Sequence, residues 1–385
     1  MKSCKIRLEQ IAAPDNLREG FLRASLGKTH KADVIAFRAN LEAELSAMHD
    51  EILSGASAVG RFTAFTIWEP KQRRIHAPCF RERVLHHALV GACEMDFERW
   101  LIDDTYACRR GKGREAALRR AEGYARRHRW FLKWDVAKYF DSIPHAVLLA
   151  AIRQRFYDTR VAELWVRIVS AYETAPGRGL PIGALTSQHL ANFYLGSVDR
   201  LAKETLRLLG YVRYMDDIAA WADDKGSLLA AKQTIEQYLR TALGLELKAN
   251  WQLQPTRSGM DFLGYRVRPT GSSLNRSSRR RFVRRWRWIE GALATGGIEE
   301  RVAQRRVMAM AAFARAAQSD GLLHNLFSGT GHRARTASTA AAVGTTPRPI
   351  VAPPTATGTR RATATTTSAS ASPSAHAIGP EGPTD

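Results

Sequence analysis

Cysteine is scarce in this chain: four residues in 385, at Cys4, Cys79, Cys93 and Cys108. None falls in a CxxC pair, which argues against a zinc site or a disulfide scaffold. No apolar run approaches the roughly 18 residues that a membrane helix needs. No apolar leader segment is visible either, so neither a membrane span nor secretion is expected. Acidic residues are outnumbered, 37 Asp and Glu against 58 Lys and Arg, for a formal net charge of +21. That excess points to a polyanionic partner, most simply a nucleic acid, with a membrane surface as the rival. Hydrophobic residues make up 45%, enough for a sizeable core, and the length suggests two or three lobes.

Lysine is missing after Lys248, and aromatic residues are missing from 336–374. That stretch is mostly Ala, Thr, Ser, Pro and Arg. It cannot bury enough apolar surface to offset its ordering entropy, so 329–385 is expected to be a disordered tail. The tail holds five Arg against two acids, a net +3, which leaves +18 of the +21 on the body. Residues 1–128 read as mostly helical, with apolar spacing of three and four over 36–53 and 82–101. The run Trp-Phe-Leu-Lys-Trp-Asp-Val at 130–136 reads as a strand. Pro144 suits the first turn of a helix reaching Phe156. A Gly/Pro stretch at 176–183 leads into a helical stretch to Leu208. A hairpin is expected over 211–221, turning at Met215 and Asp216. A helix over 226–243, strands at 245–248 and 262–267, and an Arg-rich helical segment over 277–316 complete the pattern. Alternating strands and helices predict an α+β fold.

Two acidic sites stand out. Asp135 ends a run of strand residues. Asp216 and Asp217 form an adjacent pair in Tyr-Met-Asp-Asp, with strand-like flanks on both sides. Two carboxylates at a hairpin tip repel each other unless a cation sits between them. Mg²⁺ suits that place, since it prefers oxygen ligands and bridges substrate phosphates. A solvated turn is the plainer account of an Asp-Asp pair on its own. The second strand-borne Asp upstream favours the chemical one.

At these residues the chain resembles the reverse transcriptases. The Asp135 segment resembles their first palm block, and Tyr214-Met215-Asp216-Asp217 resembles their catalytic turn. Phe262-Leu263-Gly264-Tyr265 resembles the primer-grip hairpin. Arg74 to Pro78, Arg81 to Leu85, and Thr105 to Gly113 resemble the fingers blocks of the bacterial enzymes. The blocks run in order from about Arg74 to Val267. The resemblance implies a right-hand polymerase: fingers in 1–128 and part of 151–205, palm in 129–268, a basic helical thumb in 269–328, then the tail. It implies RNA-directed DNA synthesis with two Mg²⁺ ions, or Mn²⁺, held by Asp135, Asp216 and, less critically, Asp217. Arg74 and Arg81 would clamp the triphosphate, as bidentate donors to phosphate. Phe140 would clash with a ribose 2′-hydroxyl. Lys248 would protonate the departing pyrophosphate, and Gly264 would touch the primer. Template RNA, primer or cDNA and deoxynucleotides would be the partners, in a bacterial or phage-encoded cytoplasmic enzyme, with no membrane involved. A non-catalytic nucleic-acid-binding protein that retains the palm is the alternative from a different class.

Residues 179–188 narrow the resemblance. Most reverse transcriptases carry Gln-Gly, three residues, then Ser-Pro here. This chain has Ile182 before Gly183, and Gln188 in place of the Pro. Those departures resemble the enzymes of diversity-generating retroelements, which misincorporate opposite template adenine while copying a template repeat. An apolar Ile182 cannot supply the hydrogen bond of a Gln, so wrong pairs would be penalised less. That subtype implies a small basic oligomeric accessory protein. Retron-like or group II intron-like enzymes are the alternatives. No maturase-like or endonuclease domain is expected after the thumb, which counts against the intron type. The tail, read in a shifted frame, permits an Asn-rich string like the variable region of retroelement target proteins, so an overlapping template repeat is expected there. An ordinary basic RNA-binding tail is the alternative.

The segment from Arg276 to Trp288 is dense in Arg and aromatic residues. A helix there would place Phe282 and Trp286, four apart, against the body. Arg279, Arg280, Arg284 and Arg285 would face a template–primer backbone, giving sequence-independent, salt-dependent affinity. A membrane-surface helix is the rival reading.

Overall fold

The computed structural model describes residues 4–68 and 72–317. The tail from 329 onward, and the expectations placed on it, lie outside the described residues. The N-terminal part contains α1 (Leu8–Ala12), α2 (Pro14–Ser25), α3 (Ala32–Ala39) and α4 (Leu41–Leu53). The helix expected over 36–53 breaks at Asn40, whose φ of −119° and ψ of 32° leave the helical region. A two-stranded hairpin follows, β1 (Phe62–Ile67) and β2 (Arg73–Pro78), in a region expected to be mostly helical. Five of the six residues of β1 are exposed, so the strand shows none of the alternation that betrays a half-buried sheet. Next come α5 (Phe80–Trp100) and α6 (Arg114–Arg127).

The central sheet comprises β3 (Trp130–Asp135), β4 (Gly210–Tyr214), β5 (Asp217–Ala222) and β6 (Gln252–Pro255), in the order β4-β5-β3-β6. Every neighbouring pair is antiparallel. Between β3 and β4 lie α7 (Tyr139–Ser142), α8 (His145–Arg155), α9 (Thr159–Ser170), α10 (Leu185–Tyr194) and α11 (Gly196–Arg200), followed by a π-helical turn at Leu201–Thr205. Helix α12 (Lys225–Ala242) joins β5 to the segment before β6. The expected strand at 245–248 is only an isolated bridge of Leu247 to Val136.

Both faces of the sheet are covered. Leu132, Trp134, Ile218, Ala220 and Tyr211 pack into the helical core. Phe131, Val212, Ala219 and Trp221 pack into a second core with α6 and a small sheet. That is why β3 reads as near-continuous apolar sequence, with Lys133 and Asp135 as its polar exceptions. The small sheet is β7 (Met260–Phe262), β8 (Tyr265–Arg268) and β9 (Gly271–Leu274). Leu263 and Gly264, at φ +52° and +93°, turn β7 into β8. What sequence reads as one strand over 262–267 is thus a tight hairpin. Two helices, α13 (Arg276–Ala294) and α14 (Glu300–Arg315), close the described chain. Phe282, Trp286 and Ile289 form the buried stripe of α13, as their spacing requires. Each such burial contributes on the order of 1.5–3 kcal/mol. Among the described residues no helix is long and apolar enough to cross a membrane.

Candidate active site

Strand alternation builds the site. Phe131, Lys133 and Asp135 point to one face of β3. Opposite them stand Trp221, Ala219 and Asp217 of β5. Asp135 and Asp217 are therefore direct cross-strand partners at the end of the sheet. Asp216 and Met215 form the turn between β4 and β5, and Met215 is left-handed at φ +58°. Adjacent sequence and strand register together bring all three predicted carboxylates to one end of the sheet.

The charges there are unevenly compensated. Burial, and then the neighbouring carboxylate of Asp135, push the Asp216 carboxyl up to about 7. Burial also raises Asp217, against the pull of Lys133. Lys133 Nζ lies 3.1 Å from Asp217 Oδ1 and donates to the Asp261 carbonyl at 2.7 Å. Lys248 Nζ donates to Asp135 Oδ2, and the Lys248 amide donates to the Asp135 carbonyl at 2.9 Å. Asp135 Oδ1 is buried with no hydrogen-bond partner. Lys133 was not anticipated from sequence, although a position two residues before Asp135 on one strand must share its face.

Among the described residues, no three His, Cys, Asp or Glu side chains form a ready-made metal cage. The donor set nevertheless fits a hard cation: all oxygen, with an orphaned buried carboxylate oxygen beside a second carboxylate that holds its proton to near neutrality. Mg²⁺ is commonly held by one or two carboxylates and completed by substrate phosphates, so a full protein cage is not required. Asp135 and Asp216 are the paired donors. Asp217 is partly claimed by Lys133.

The remaining predicted residues divide. Arg74 on β2 is exposed, and its charge reaches His76 and Tyr172 together with that of Asp141. Phe140, on the short helix α7, is half-buried against Tyr139. The segment holding Ile182 and Gly183 runs beside α7: the Leu180 amide donates to the Phe140 carbonyl at 2.8 Å. The Ile182 carbonyl accepts from the His76 amide at 2.7 Å, tying this segment to the β1–β2 hairpin. Gly183 has φ +123°, and a Cβ there would lie 2.7 Å from Ile75 Cγ2. Gln188 is exposed and accepts from Cys108 Sγ at 3.5 Å.

One expectation needs correction, and two further residues have surroundings of their own. Arg81 is no free phosphate clamp: its guanidinium binds Glu44 at 3.0 Å and Glu51 at 2.6 Å, pinning α5 to α4. Gly264 is a packing position, since a Cβ there would lie 3.0 Å from Ser278 Oγ and 3.1 Å from Phe313 Cζ. Arg285 does not share a groove with its neighbours. Arg279, Arg280 and Arg284 line one groove of ≈ 930 Å³ with Arg266, Arg268 and Arg276. Arg285 lines a separate one of ≈ 640 Å³ with Arg114, Arg281 and Arg306. Trp68, just past β1, faces Arg276, Arg280 and Arg284 across a cleft of ≈ 580 Å³.

Clustered carboxylates stand at the end of an antiparallel sheet, and the same chain carries arginine-lined grooves. Residues 70–267 match the family described as reverse transcriptase (RNA-dependent DNA polymerase). That is just over half of the chain, and the chain belongs to this family. Its described residues form the mixed helix-and-sheet architecture expected from the sequence. It is similar to Protein YkfC of Escherichia coli (strain K12), 28% identical over 182 residues, covering 43% of this chain and 47% of that protein. It is also similar to the group II intron-encoded protein LtrA of Lactococcus lactis subsp. cremoris, 25% identical over 138 residues, covering 34% of this chain and 23% of that protein. The chain thus spans less than half the length of these two relatives. Among solved structures it is similar to apo telomerase from Candida tropicalis, at TM-score 0.47 and 11% identity, covering 79% of this chain and 64% of that one.

Proposed function

We propose that this protein is an RNA-directed DNA polymerase that extends a primer 3′ end on an RNA template and releases pyrophosphate. The observation that carries this reading is the crowding of Asp135 and Asp216 at the β4–β5 tip, with a buried carboxylate oxygen left unpartnered. Asp135 and Asp216 would hold Mg²⁺ (Mn²⁺ as the alternative), with Asp217 in support. Two bound ions supply charge neutralisation and activation of the primer hydroxyl. Lys248, which donates to Asp135 Oδ2, would protonate the leaving pyrophosphate. Arg74 meets the triphosphate from the hairpin, and Phe140 borders the sugar. The division into fingers (1–128), palm (129–268) and thumb (269–328) belongs to the same reading. The groove of Arg279, Arg280 and Arg284 takes the duplex backbone. Primer extension on an RNA template tests this: wild type extends and Asp216→Asn does not. Equal signal from both rejects it in favour of a non-catalytic binding protein.

Within that activity we assign the diversity-generating retroelement type, a cytoplasmic enzyme of a bacterium or phage working with a small basic accessory oligomer. Ile182 and Gln188 support it, standing where most of the family carries Gln and Pro. Ile182 offers its carbonyl to the hairpin and only an apolar side chain toward its surroundings. The likeness to a group II intron-encoded protein favours a second reading, a faithful intron-type enzyme. Sequencing the cDNA separates them: errors concentrated at template adenine support the first, uniformly low error the second.

A further inference from the structure

Arg213 lies on β4, on the face of the sheet opposite Lys133 and Asp217, directly behind the Met215–Asp216 turn. It is fully buried, as is Asp199 of α11, at 0% exposure each. Arg213 Nε and Nη2 each donate to Asp199, both at 2.6 Å. Nη1 donates to Asn192 Oδ1 at 2.8 Å, and Nη2 to the Asn192 carbonyl at 3.0 Å. The last bond runs from Nη1 to the carbonyl of Met215, at 3.0 Å. A guanidinium has five N–H groups in a fixed fork, and all five are used. Asp199 is completed by Tyr211 Oη at 2.8 Å and Thr105 Oγ1 at 2.7 Å.

A buried ion pair is poor value as a stabiliser, because desolvation offsets much of its attraction. This one is aimed. Its fifth bond ends on a residue held at φ +58°, a conformation that non-glycine residues adopt only when their surroundings impose it. The next residue in the chain is Asp216. We infer that Arg213, set by Asp199 and Asn192, is a positioning residue: it fixes the Met215 carbonyl and so the direction in which Asp216 leaves the turn. Lysine would keep the charge and lose the fork. The inference rests on the polymerase reading for its catalytic consequence, and on geometry alone for the turn.

The test compares wild type, Arg213→Lys and Asn192→Ala. Asn192→Ala removes one acceptor and leaves the ion pair with Asp199 in place, so it serves if Arg213→Lys fails to fold. Steady-state primer extension gives kcat and the nucleotide KM, and duplex affinity is measured separately. Mn²⁺ binding to the enzyme without nucleic acid is followed by electron paramagnetic resonance. In Arg213→Lys, kcat falls about 100-fold, the scale of an ångström-sized misplacement. The nucleotide KM and duplex Kd stay near wild type, and Mn²⁺ binds more weakly. Asn192→Ala changes in the same direction by less. Wild-type kcat and Mn²⁺ affinity in either soluble variant overturn the inference. So does a loss shared equally by kcat, KM and duplex Kd, which marks general unfolding. If wild-type protein extends no primer, the polymerase reading fails, and the Mn²⁺ titration alone then decides the role of Arg213.

Discussion

Arginine does two different jobs in two regions of this molecule. At the Met215–Asp216 turn a single arginine is sealed from water with every donor assigned. Along α13 at least five, Arg276, Arg279, Arg280, Arg284 and Arg287, stand exposed beside a groove. The first arrangement is specific and directional, and it fixes one backbone carbonyl. The second is diffuse: its charge acts over a Debye length and weakens with salt. Sequence composition counts both kinds equally in the +21. The structure separates charge laid along an open groove from charge sealed behind the Met215–Asp216 turn.

The comparison is sharpest where chemistry and binding can be uncoupled. Asp216→Asn should lower primer extension by about a thousandfold or more, as loss of a group acting in the transition state does, while gel-shift affinity for an RNA–DNA duplex is unchanged. Parallel loss of binding would merge the two regions into one. Replacing Arg279, Arg280 and Arg284 together with Gln should do the converse. A plot of log affinity against log salt should flatten by about 0.9 per lost phosphate contact, with kcat at saturating duplex preserved. An unchanged slope would show that the groove does not hold the duplex.

Smaller effects follow outside these two regions. Ile182→Gln should lower misincorporation opposite template adenine several-fold, within the modest discrimination one hydrogen bond provides; an unaltered error spectrum in deep-sequenced cDNA removes Ile182 from fidelity. Arg81→Ala should cost about 1 kcal/mol in a denaturant melt and leave the nucleotide KM alone. A raised KM would return Arg81 to the triphosphate. The slightest effect concerns His87, which burial, then the charges of Lys28, His86, Arg23 and Arg83, lowers to about 4. The unfolded chain takes up that proton near 6.5, so His87 contributes stability above pH 6.5 that is lost as the pH falls toward 4. His87→Gln should flatten that part of the stability–pH curve.

What was legible in the sequence had local causes. β3 was readable because its apolar residues serve two cores at once. The β4–β5 hairpin was readable because a short acidic turn sits between strand-like runs; Asp216 and Asp217 came with it, and Asp135 came with β3. The stripe of Phe282 and Trp286 followed from helical spacing. The illegible parts depended on distant partners. Arg81 is committed to Glu44 and Glu51, 37 and 30 residues away, and nothing near Arg81 announces them. The β1–β2 hairpin carries no buried face to write a pattern. Arg284 and Arg285 are neighbours in sequence, but a helix turns 100° between them and they reach different grooves. Arg213 left one faint trace, a charge inside an otherwise apolar strand.

The turn at Gly264 gives the molecule a fulcrum. Ser278 and Phe313 rest where its side chain would be, so α13 is seated on bare backbone at its first turn. The part of that helix beyond Ser278, up to Ala294, extends about 24 Å from the joint, at 1.5 Å per residue. A wedge one methyl thick at that joint would be magnified along the arm, and the arginines riding on it would be displaced most at its far end. The set of that arm depends on a missing atom.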